Sequence, residues 1–313
     1  MNETFSFTPF QPNIPIWSNR VIWANWSHQE AYLRSLPQWK DDQVASLAAE
    51  SLRILNKITD PLRQAPFQCR GLVVGYVQSG KTANYTAVAA RAADAGYRLV
   101  IILSGIHDSL RNQTQVRLDR ELVGTGINWL RLTTEGQDFF PPPNADGFDS
   151  TGPVLIVAKK IAPILARILD WLASTKDRLA DVPLLLIDDE ADQASINTSR
   201  NRQDIGIDEE NIQDENDAPS RTNELIRAIL RSFPKAAYVA YTATPFANIL
   251  IDPAANDRVV GADLFPKDFV VQLPRPDGYT GTEELFGNSA DCRDVMRPVP
   301  AVDVRALKSP RQR

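Results

Sequence analysis

From residue 71 onward, short apolar runs alternate with longer segments of helical character. The runs are four to six residues long and lie at 72–75, 98–103, 154–158, 184–188 and 236–241, with a weaker one at 129–132. The segments between them predict helices at 81–95, 108–122, 160–173 and 221–232. Strands this uniformly apolar are buried on both faces, and their alternation with helices is typical of right-handed βαβ units. The pattern predicts an α/β fold with a central parallel sheet flanked by helices.

The first 70 residues have a different character. Four of the six tryptophans fall there: Trp17, Trp23, Trp26 and Trp39. From Asp41 a helical pattern begins, with one apolar stripe at Val44, Leu47, Ala48, Leu52 and Leu55. We predict an N-terminal helical extension over 1–70, the α/β lobe over 71–252 and a C-terminal extension over 253–313. The tryptophans either pack against the lobe or stack on bases or an adenine ring.

The segment from Gly75 to Thr82 fits the pattern G-x-x-x-x-G-K-[ST] at every fixed position. It follows an apolar strand and precedes an alanine-rich helix, which is the context that a phosphate-binding loop requires. Glycines let consecutive N–H groups turn toward phosphate oxygens, and the helix N-terminus adds its positive dipole end. We expect ATP to contact the loop at Gly75, Gln78, Ser79, Gly80, Lys81 and Thr82. In this arrangement the Lys81 ammonium contacts the β- and γ-phosphates, and the Thr82 hydroxyl ligates Mg²⁺.

The apolar run 184–187 ends in four acids within five positions, at Asp188, Asp189, Glu190 and Asp192. A strand end delivers such groups to the carboxyl edge of a parallel sheet, where ligands bind. Asp189 suits a Mg²⁺ ligand, and Asp188 is an alternative for that role. Glu190 suits the catalytic base that deprotonates an attacking water.

A third motif, Thr242-Ala243-Thr244, follows the apolar run at 236–241. Its two hydroxyls suit hydrogen bonds to Asp192 or Glu190, and these bonds would couple the motif to the γ-phosphate state. We therefore assign Asp192, Thr242 and Thr244 a coupling role.

Two polar clusters follow earlier strands and offer contacts to nucleic acid. The predicted helix from residue 108 carries Arg111, Gln113, Gln115 and Arg117, and the strand 154–158 is followed by Lys159 and Lys160. Such groups suit DNA phosphates and carry no sequence information. The alternative is that both clusters form ordinary solvated surface.

In order and wording, these motifs resemble known proteins. The phosphate loop, the D-E-A-D sequence and T-A-T are similar to the first motor lobe of superfamily-two helicases. Longer stretches at 71–82, 104–115, 187–198 and 241–248 resemble the bacterial Z-one domain family, commonly labelled a putative endonuclease. The resemblance implies a RecA-like P-loop ATPase lobe that acts on DNA in bacterial restriction or defence, with other defence proteins as partners.

The family resemblance also implies a second motor lobe, which supplies an arginine for phosphoryl transfer. Beyond Thr244 we find no strand–helix pattern that predicts such a lobe. We therefore expect nucleotide binding from this chain, and turnover to depend on a lobe supplied elsewhere.

Composition excludes several classes. A net charge of −5 over 313 residues argues against binding nucleic acid by bulk charge, and leaves a local basic groove open. Two cysteines and two histidines do not support a disulfide framework or a His-rich zinc site. No apolar stretch approaches the roughly 20 residues of a membrane span, and no secretory signal is evident. We expect a cytoplasmic protein with no membrane partner.

Three functions remain open from the sequence: a motor-type ATPase on DNA, an endonuclease or a subunit of one, and a nucleotide switch that does not hydrolyse ATP. A small-molecule kinase is a remote fourth, because the D-E-A-D and T-A-T pair argues against it. For a nuclease, Asp277, Glu283 and Glu284 lack a lysine at a suitable offset.

Overall fold

The computed structural model describes residues 6–7, 16–77, 80–124, 128–142, 148, 152–193, 195, 218–251, 256–257, 261–276, 279 and 281. Gln78 and Ser79 of the phosphate loop lie outside the described residues, as do most of the residues in the predicted extension over 253–313. Residues 1–274 form one compact unit and 275–313 a second, and the helices and strands named below belong to the first.

The elements follow the predicted alternation. The strands are β1 (Ser6–Phe7), β2 (Phe67–Val74), β3 (Leu99–Ser104), β4 (Leu130–Arg131), β5 (Val154–Ala158), β6 (Leu184–Asp189), β7 (Lys235–Thr242), β8 (Asn256–Asp257), β9 (Gly261–Ala262) and β10 (Phe269–Gln272). The helices are α1 (Ala24–Ser35), α2 (Asp41–Leu55), α3 (Lys81–Ala95), α4 (Asp108–Leu118), α5 (Ala162–Ser174), α6 (Ala218–Arg231) and α7 (Phe246–Ile249). A π-helical turn at Asp119–Val123 extends α4, and short 3₁₀ turns lie at Trp17–Arg20 and Lys176–Asp181.

Eight strands form one sheet in the order β1-β10-β2-β7-β6-β3-β5-β4. Seven of them are parallel, and only the edge strand β1 pairs antiparallel, with β10. Because the strands β3, β5 and β6 are buried along almost their whole length, both sheet faces must be covered. The predicted parallel α/β sheet is confirmed.

Helices cover the sheet in two layers. One face packs with α3 and the α4 region around core residues such as Val73, Ile102 and Val239. The other face packs with α5 and α6 around Ile101, Ile156 and Leu186. This arrangement leaves the carboxyl ends of the strands as the edge at which loops gather.

The N-terminal helices α1 and α2 pack on α3, the helix that follows the phosphate loop. The Arg91 guanidinium of α3 lies 4.9 Å from the ring centroid of Trp23 and 4.3 Å from that of Trp26. The Asp94 carboxylate accepts backbone N–H bonds from Asn25 (2.8 Å) and Trp26 (3.1 Å), so it caps the start of α1. For Trp23 and Trp26, these contacts support packing against the lobe over stacking on bases or an adenine ring.

The strand β10 was missed by the sequence analysis, which found no strand–helix pattern beyond Thr244. It pairs in parallel with β2, and Phe269 lies directly opposite Gly71. A Cβ added at Gly71 would lie 2.0 Å from the Phe269 ring, so only glycine admits that ring. The missed strand thus explains a glycine inside β2.

No helix among the described residues is long and apolar enough to cross a membrane.

Candidate nucleotide-binding site

The three sequence motifs meet at one edge of the sheet. The strands β2, β7 and β6 are consecutive neighbours, and Val74 pairs with Thr242 while Tyr241 pairs with Asp189. The backbone N–H of Gly75 donates to the Thr242 carbonyl at 3.0 Å. The phosphate loop, the T-A-T turn and the acidic turn therefore follow one another along the carboxyl edge.

The phosphate loop ends at the N-terminus of α3. Gly80 has φ +86°, a left-handed conformation that favours glycine, and a Cβ there would meet no atom within 4 Å. Within the described part of the chain no side chain caps the helix, and N–H groups at a helix start are suited to an anion. Lys81 is 8 % exposed, and its ammonium donates to the Tyr76 carbonyl at 3.3 Å. The predicted positions Gly75, Gly80, Lys81 and Thr82 are thus gathered at one helix start.

Asp189 ends β6 and lies beside the start of α3. The Tyr85 hydroxyl donates to its carboxylate at 3.1 Å, and the same hydroxyl is within hydrogen-bonding reach of the Thr82 side chain. Burial, followed by the charge of Glu190, raises the pKa of Asp189 to about 6. The bond from Tyr85 and the charges of Lys81 and Lys160 oppose this rise. A carboxylate with an incompletely compensated charge is a site that a cation stabilises.

The residues present fit a nucleotide with Mg²⁺. Mg²⁺ is commonly held by one or two protein oxygen ligands, phosphate oxygens and water, and Asp189 and Thr82 supply such oxygens here. Among the described residues, no group of three or more His, Cys, Asp or Glu side chains forms a metal cluster.

Glu190 stands in an unusual backbone conformation. Its φ of +51° makes it the one non-glycine residue with positive φ among the described residues. Its N–H donates to the Asp189 carboxylate at 3.1 Å, and its side chain is partly exposed. Non-glycine residues held at positive φ often cluster at active sites.

The T-A-T hydroxyls bond to Asp192. Thr242 Oγ1 donates to one carboxylate oxygen at 2.7 Å, and Thr244 Oγ1 donates to the other at 2.6 Å. Burial raises the pKa of Asp192, but these two bonds outweigh it, so that the net pKa lies below the usual value. The structure brings together the three residues to which the sequence analysis gave a coupling role.

Asp188, the alternative metal ligand, lies inside the protein instead. Its side chain is fully buried, and one oxygen accepts from Ser195 (2.6 Å) and Tyr238 (2.7 Å). The other oxygen forms an ion pair with the Lys160 ammonium at 2.8 Å. These contacts leave Asp189 as the carboxylate at the candidate metal position.

No protein-family model and no curated protein matches the sequence. Among solved structures, S. cerevisiae Dbp5 bound to RNA and ADP BeF3 is 16 % identical, with a TM-score of 0.40 over 69 % of this chain and 43 % of that chain. The DUF1998 helicase MrfA bound to DNA and AMPPNP is 11 % identical, with a TM-score of 0.46 over 87 % of this chain and 31 % of that one. Mss116p bound to ssRNA and AMP-PNP is 14 % identical, with a TM-score of 0.40 over 70 % and 38 %.

The chain spans less than half the length of these three structures. Its seven parallel strands flanked by helices confirm the predicted α/β fold with a central parallel sheet.

Three of the six predicted nucleic-acid contacts are buried. Arg111 is 2 % exposed and donates to the carbonyls of Thr134 (2.9 Å) and Glu135 (2.5 Å). Gln115 is fully buried and bonds to Thr133 and Asp119. Lys160 is 1 % exposed and pairs with Asp188. Because their polar groups already have protein partners, we withdraw all three as DNA contacts.

The other three predicted contacts reach the surface. Gln113 is exposed, Arg117 pairs with Glu121 at 2.9 Å, and Lys159 pairs with the exposed Asp108 at 2.7 Å. Gln113 and Arg117 line a shallow groove together with Asn112, Val116, Arg120 and Glu135. Lys159 is partly exposed and its partner Asp108 is largely exposed, and ion pairs near the surface contribute little stability.

Sequence reasoning also missed the role of Tyr85, whose hydroxyl joins α3 to Asp189. Its spacing of four residues from Lys81 places both on one helix face, which was the available signal. The inward position of Lys160 had no such signal, because it depends on contacts with a strand about 30 residues later.

Proposed function

We propose that this chain binds ATP with Mg²⁺ and forms the ATPase lobe of a helicase-like enzyme that acts on DNA. The observation that carries the proposal is the meeting of the phosphate loop, the acidic turn and the T-A-T turn on the neighbouring strands β2, β7 and β6. A chance match to one motif would not bring two further motifs to the same sheet edge.

In this proposal each residue has a distinct task. The loop N–H groups and the Lys81 ammonium bind phosphate oxygens, and Thr82 with Asp189 holds Mg²⁺, which neutralises charge that develops on the phosphates. Glu190 accepts a proton from the attacking water. Asp192, bonded to Thr242 and Thr244, ties the acidic turn to β7.

For DNA we retain Gln113, Arg117 and Lys159, which lie at the surface after β3 and β5. Contacts of this kind act by counterion release, so DNA affinity should fall steeply as salt rises. A place in bacterial restriction or defence, with other defence proteins as partners, is supported by the sequence resemblance alone.

Calorimetry with ATP·Mg²⁺ tests the proposal. The wild-type chain should bind, and Lys81→Ala should lose roughly 10-fold or more in affinity, because a hydrogen bond to a charged group contributes about 1.5–3 kcal/mol. The matched control is Lys176→Ala, an exposed lysine in the 3₁₀ turn before β6, at the opposite edge of the sheet. No heat from the wild-type chain at millimolar ligand would overturn the proposal.

The other candidate functions give different results. An endonuclease predicts Mg²⁺-dependent nicking of DNA that persists in Lys81→Ala. A nucleotide switch predicts ATP binding without hydrolysis and without any effect of DNA at any salt concentration.

A further inference from the structure

Lys160 is a fully buried lysine whose charge is satisfied inside the protein. Its ammonium lies 2.8 Å from a carboxylate oxygen of Asp188, and both side chains are inaccessible to solvent. The same nitrogen donates to the carbonyl oxygens of Asp189 (2.8 Å) and Glu190 (2.7 Å). Two hydrogen bonds to carbonyls and one ion pair thus surround the ammonium with three protein oxygens.

The side chain reaches across the sheet to make these contacts. Lys160 follows β5, whereas its partners end β6, and β3 lies between the two strands. Two strand spacings amount to about 10 Å, which requires a long side chain. The backbone N–H of Lys160 donates to the carbonyl of Gly105 (2.7 Å), the residue after β3. This bond fixes the position of the Lys160 backbone, from which the side chain extends.

The contacts converge on the peptide unit between Glu190 and Ala191. Its carbonyl accepts from Lys160, and its N–H donates to the Tyr241 carbonyl at 3.0 Å. The Glu190 carbonyl also accepts from the Gln193 N–H at 2.9 Å. A non-glycine residue stays at positive φ only when its surroundings over-determine it, and these bonds supply that constraint at Glu190.

We propose that Lys160 is a positioning residue for ATP hydrolysis, because it holds the Asp189–Glu190 backbone in the conformation that aims the Glu190 carboxylate at the attacking water. The role rests on the proposed function. It differs from a purely structural ion pair, since an ion pair needs only Asp188, whereas positioning needs the two carbonyl contacts.

The first test measures the backbone directly and needs no activity. Glycine and alanine are compared at position 190, because both remove the carboxylate but only glycine is unstrained at positive φ. The comparison is made with Lys160 present and in the double variant Lys160→Met/Asp188→Asn. Asp188→Asn removes the buried charge and keeps an acceptor for Ser195 and Tyr238.

With Lys160 present, Glu190→Gly should unfold at a higher urea concentration than Glu190→Ala. In the double variant the difference should shrink, because the turn is free to leave the left-handed conformation. The same Gly–Ala difference in both backgrounds would overturn the inference that Lys160 holds this turn.

The second test separates binding from hydrolysis. The double variant should bind ATP·Mg²⁺ with nearly wild-type affinity but hydrolyse it about 10²-fold more slowly in single-turnover assays, as expected when a catalytic group is displaced by about 1 Å. Lys176→Met is the control for loss of a lysine and should behave as wild type. Equal, measurable rates for the double variant and the wild type would overturn the positioning role.

The two proposals fail in different ways. A wild-type chain that binds no ATP overturns the proposed function and the hydrolytic role together, and the Gly–Ala comparison still decides whether Lys160 holds the turn. A chain that binds ATP, with equal hydrolysis in the double variant, overturns the positioning role alone.

Discussion

Two buried lysines lie along the same edge of the sheet, and their surroundings differ sharply. Lys160 beside the acidic turn has three protein oxygens at 2.7–2.8 Å, one of them from a carboxylate. Lys81 in the phosphate loop has, among the described residues, one hydrogen bond to a carbonyl at 3.3 Å and no ion pair. That bond is longer than the usual 2.7–3.2 Å.

This difference indicates that the two lysines have different roles at this edge of the sheet. Burying an ammonium costs free energy unless charge and hydrogen bonds compensate for it. At Lys160 the protein supplies that compensation through Asp188 and the two carbonyls of the acidic turn. At Lys81 the described residues supply one long bond to a carbonyl, and we propose phosphates as the ligand of this cation.

The largest expected effect separates hydrolysis from binding. Glu190→Gln should retain ATP·Mg²⁺ affinity and lower the single-turnover hydrolysis rate by about 10²–10⁴-fold, because general-base catalysis contributes that much. The amide keeps the size of the carboxylate but does not accept the proton. Lys81→Ala gives the opposite result, with the loss in affinity. Normal hydrolysis in Glu190→Gln would show that Glu190 is not the catalytic base. It would also contradict the assignment of binding to the phosphate loop and of hydrolysis to the acidic turn.

The next effect is on stability. Lys160→Met should lower the free energy of unfolding by about 3–5 kcal/mol, because it leaves the buried Asp188 charge unpaired. Lys81→Met should change it by less than about 1 kcal/mol, since a single long bond to a carbonyl is lost. Urea unfolding of both variants measures the contrast. Equal losses would show that the two lysines are partnered alike.

Arg91 sharpens the comparison with a third buried cation. The Arg91 guanidinium packs against two aromatic rings, whereas the Lys160 ammonium pairs with a carboxylate. Burial lowers the pKa of Arg91 to about 10. The guanidinium also donates to Ser51 Oγ at 3.0 Å and to the Ala48 carbonyl at 3.2 Å. Arg91→Leu should lower the free energy of unfolding by about 1–3 kcal/mol, less than Lys160→Met, since the neighbouring Asp94 carboxylate keeps its hydrogen bonds from Asn25 and Trp26.

The matched control for Arg91→Leu is Arg63→Leu, an exposed arginine in the turn before β2. Urea unfolding followed by tryptophan fluorescence reports on both. If the two leucine variants were equally stable, the cation–aromatic contacts would contribute nothing to docking of the N-terminal helices.

Much of this fold could be predicted because its signals are local. The apolar runs of β3, β5 and β6 and the glycine-lysine-threonine start of α3 are continuous in sequence, and their parallel pairing follows from the alternation with helices. The meeting of Asp189 with the phosphate loop follows in turn, because parallel strands bring their carboxyl ends to one edge.

The errors arose where a residue's role depends on distant contacts. Arg111 and Lys160 are charged residues of a kind usually found at the surface. Only their hydrogen bonds to the carbonyls of Thr134, Glu135, Asp189 and Glu190 show that their side chains point inward. The strand β10 was missed because a run of only four residues gives no periodic signal, and its place is fixed by the contact between Phe269 and Gly71. Long-range contacts of this kind produce no pattern within a short stretch of sequence.

The smallest expected effect tests the link between the acidic turn and β7. The hydrogen bonds from Thr244 and Thr242 keep the pKa of Asp192 below its usual value despite burial. A carboxylate with a lowered folded-state pKa contributes stability that is complete above its unfolded pKa of about 4 and is lost as pH falls through the folded pKa. Thr242→Val, an exchange of similar volume, should therefore cost about 1 kcal/mol at pH 7 and less in acid.

The control for Thr242→Val is Thr175→Val, which is also buried. The Thr175 hydroxyl lies 3.2 Å from the carbonyls of Trp171 and Leu172, which do not titrate. Its stability loss should therefore be the same at every pH, whereas the loss from Thr242→Val should diminish as Asp192 takes up a proton. Urea unfolding of both variants between pH of about 3 and 7 measures the two curves. Parallel curves would mean that the Asp192 carboxylate contributes no charge-dependent stability to the link between the acidic turn and β7.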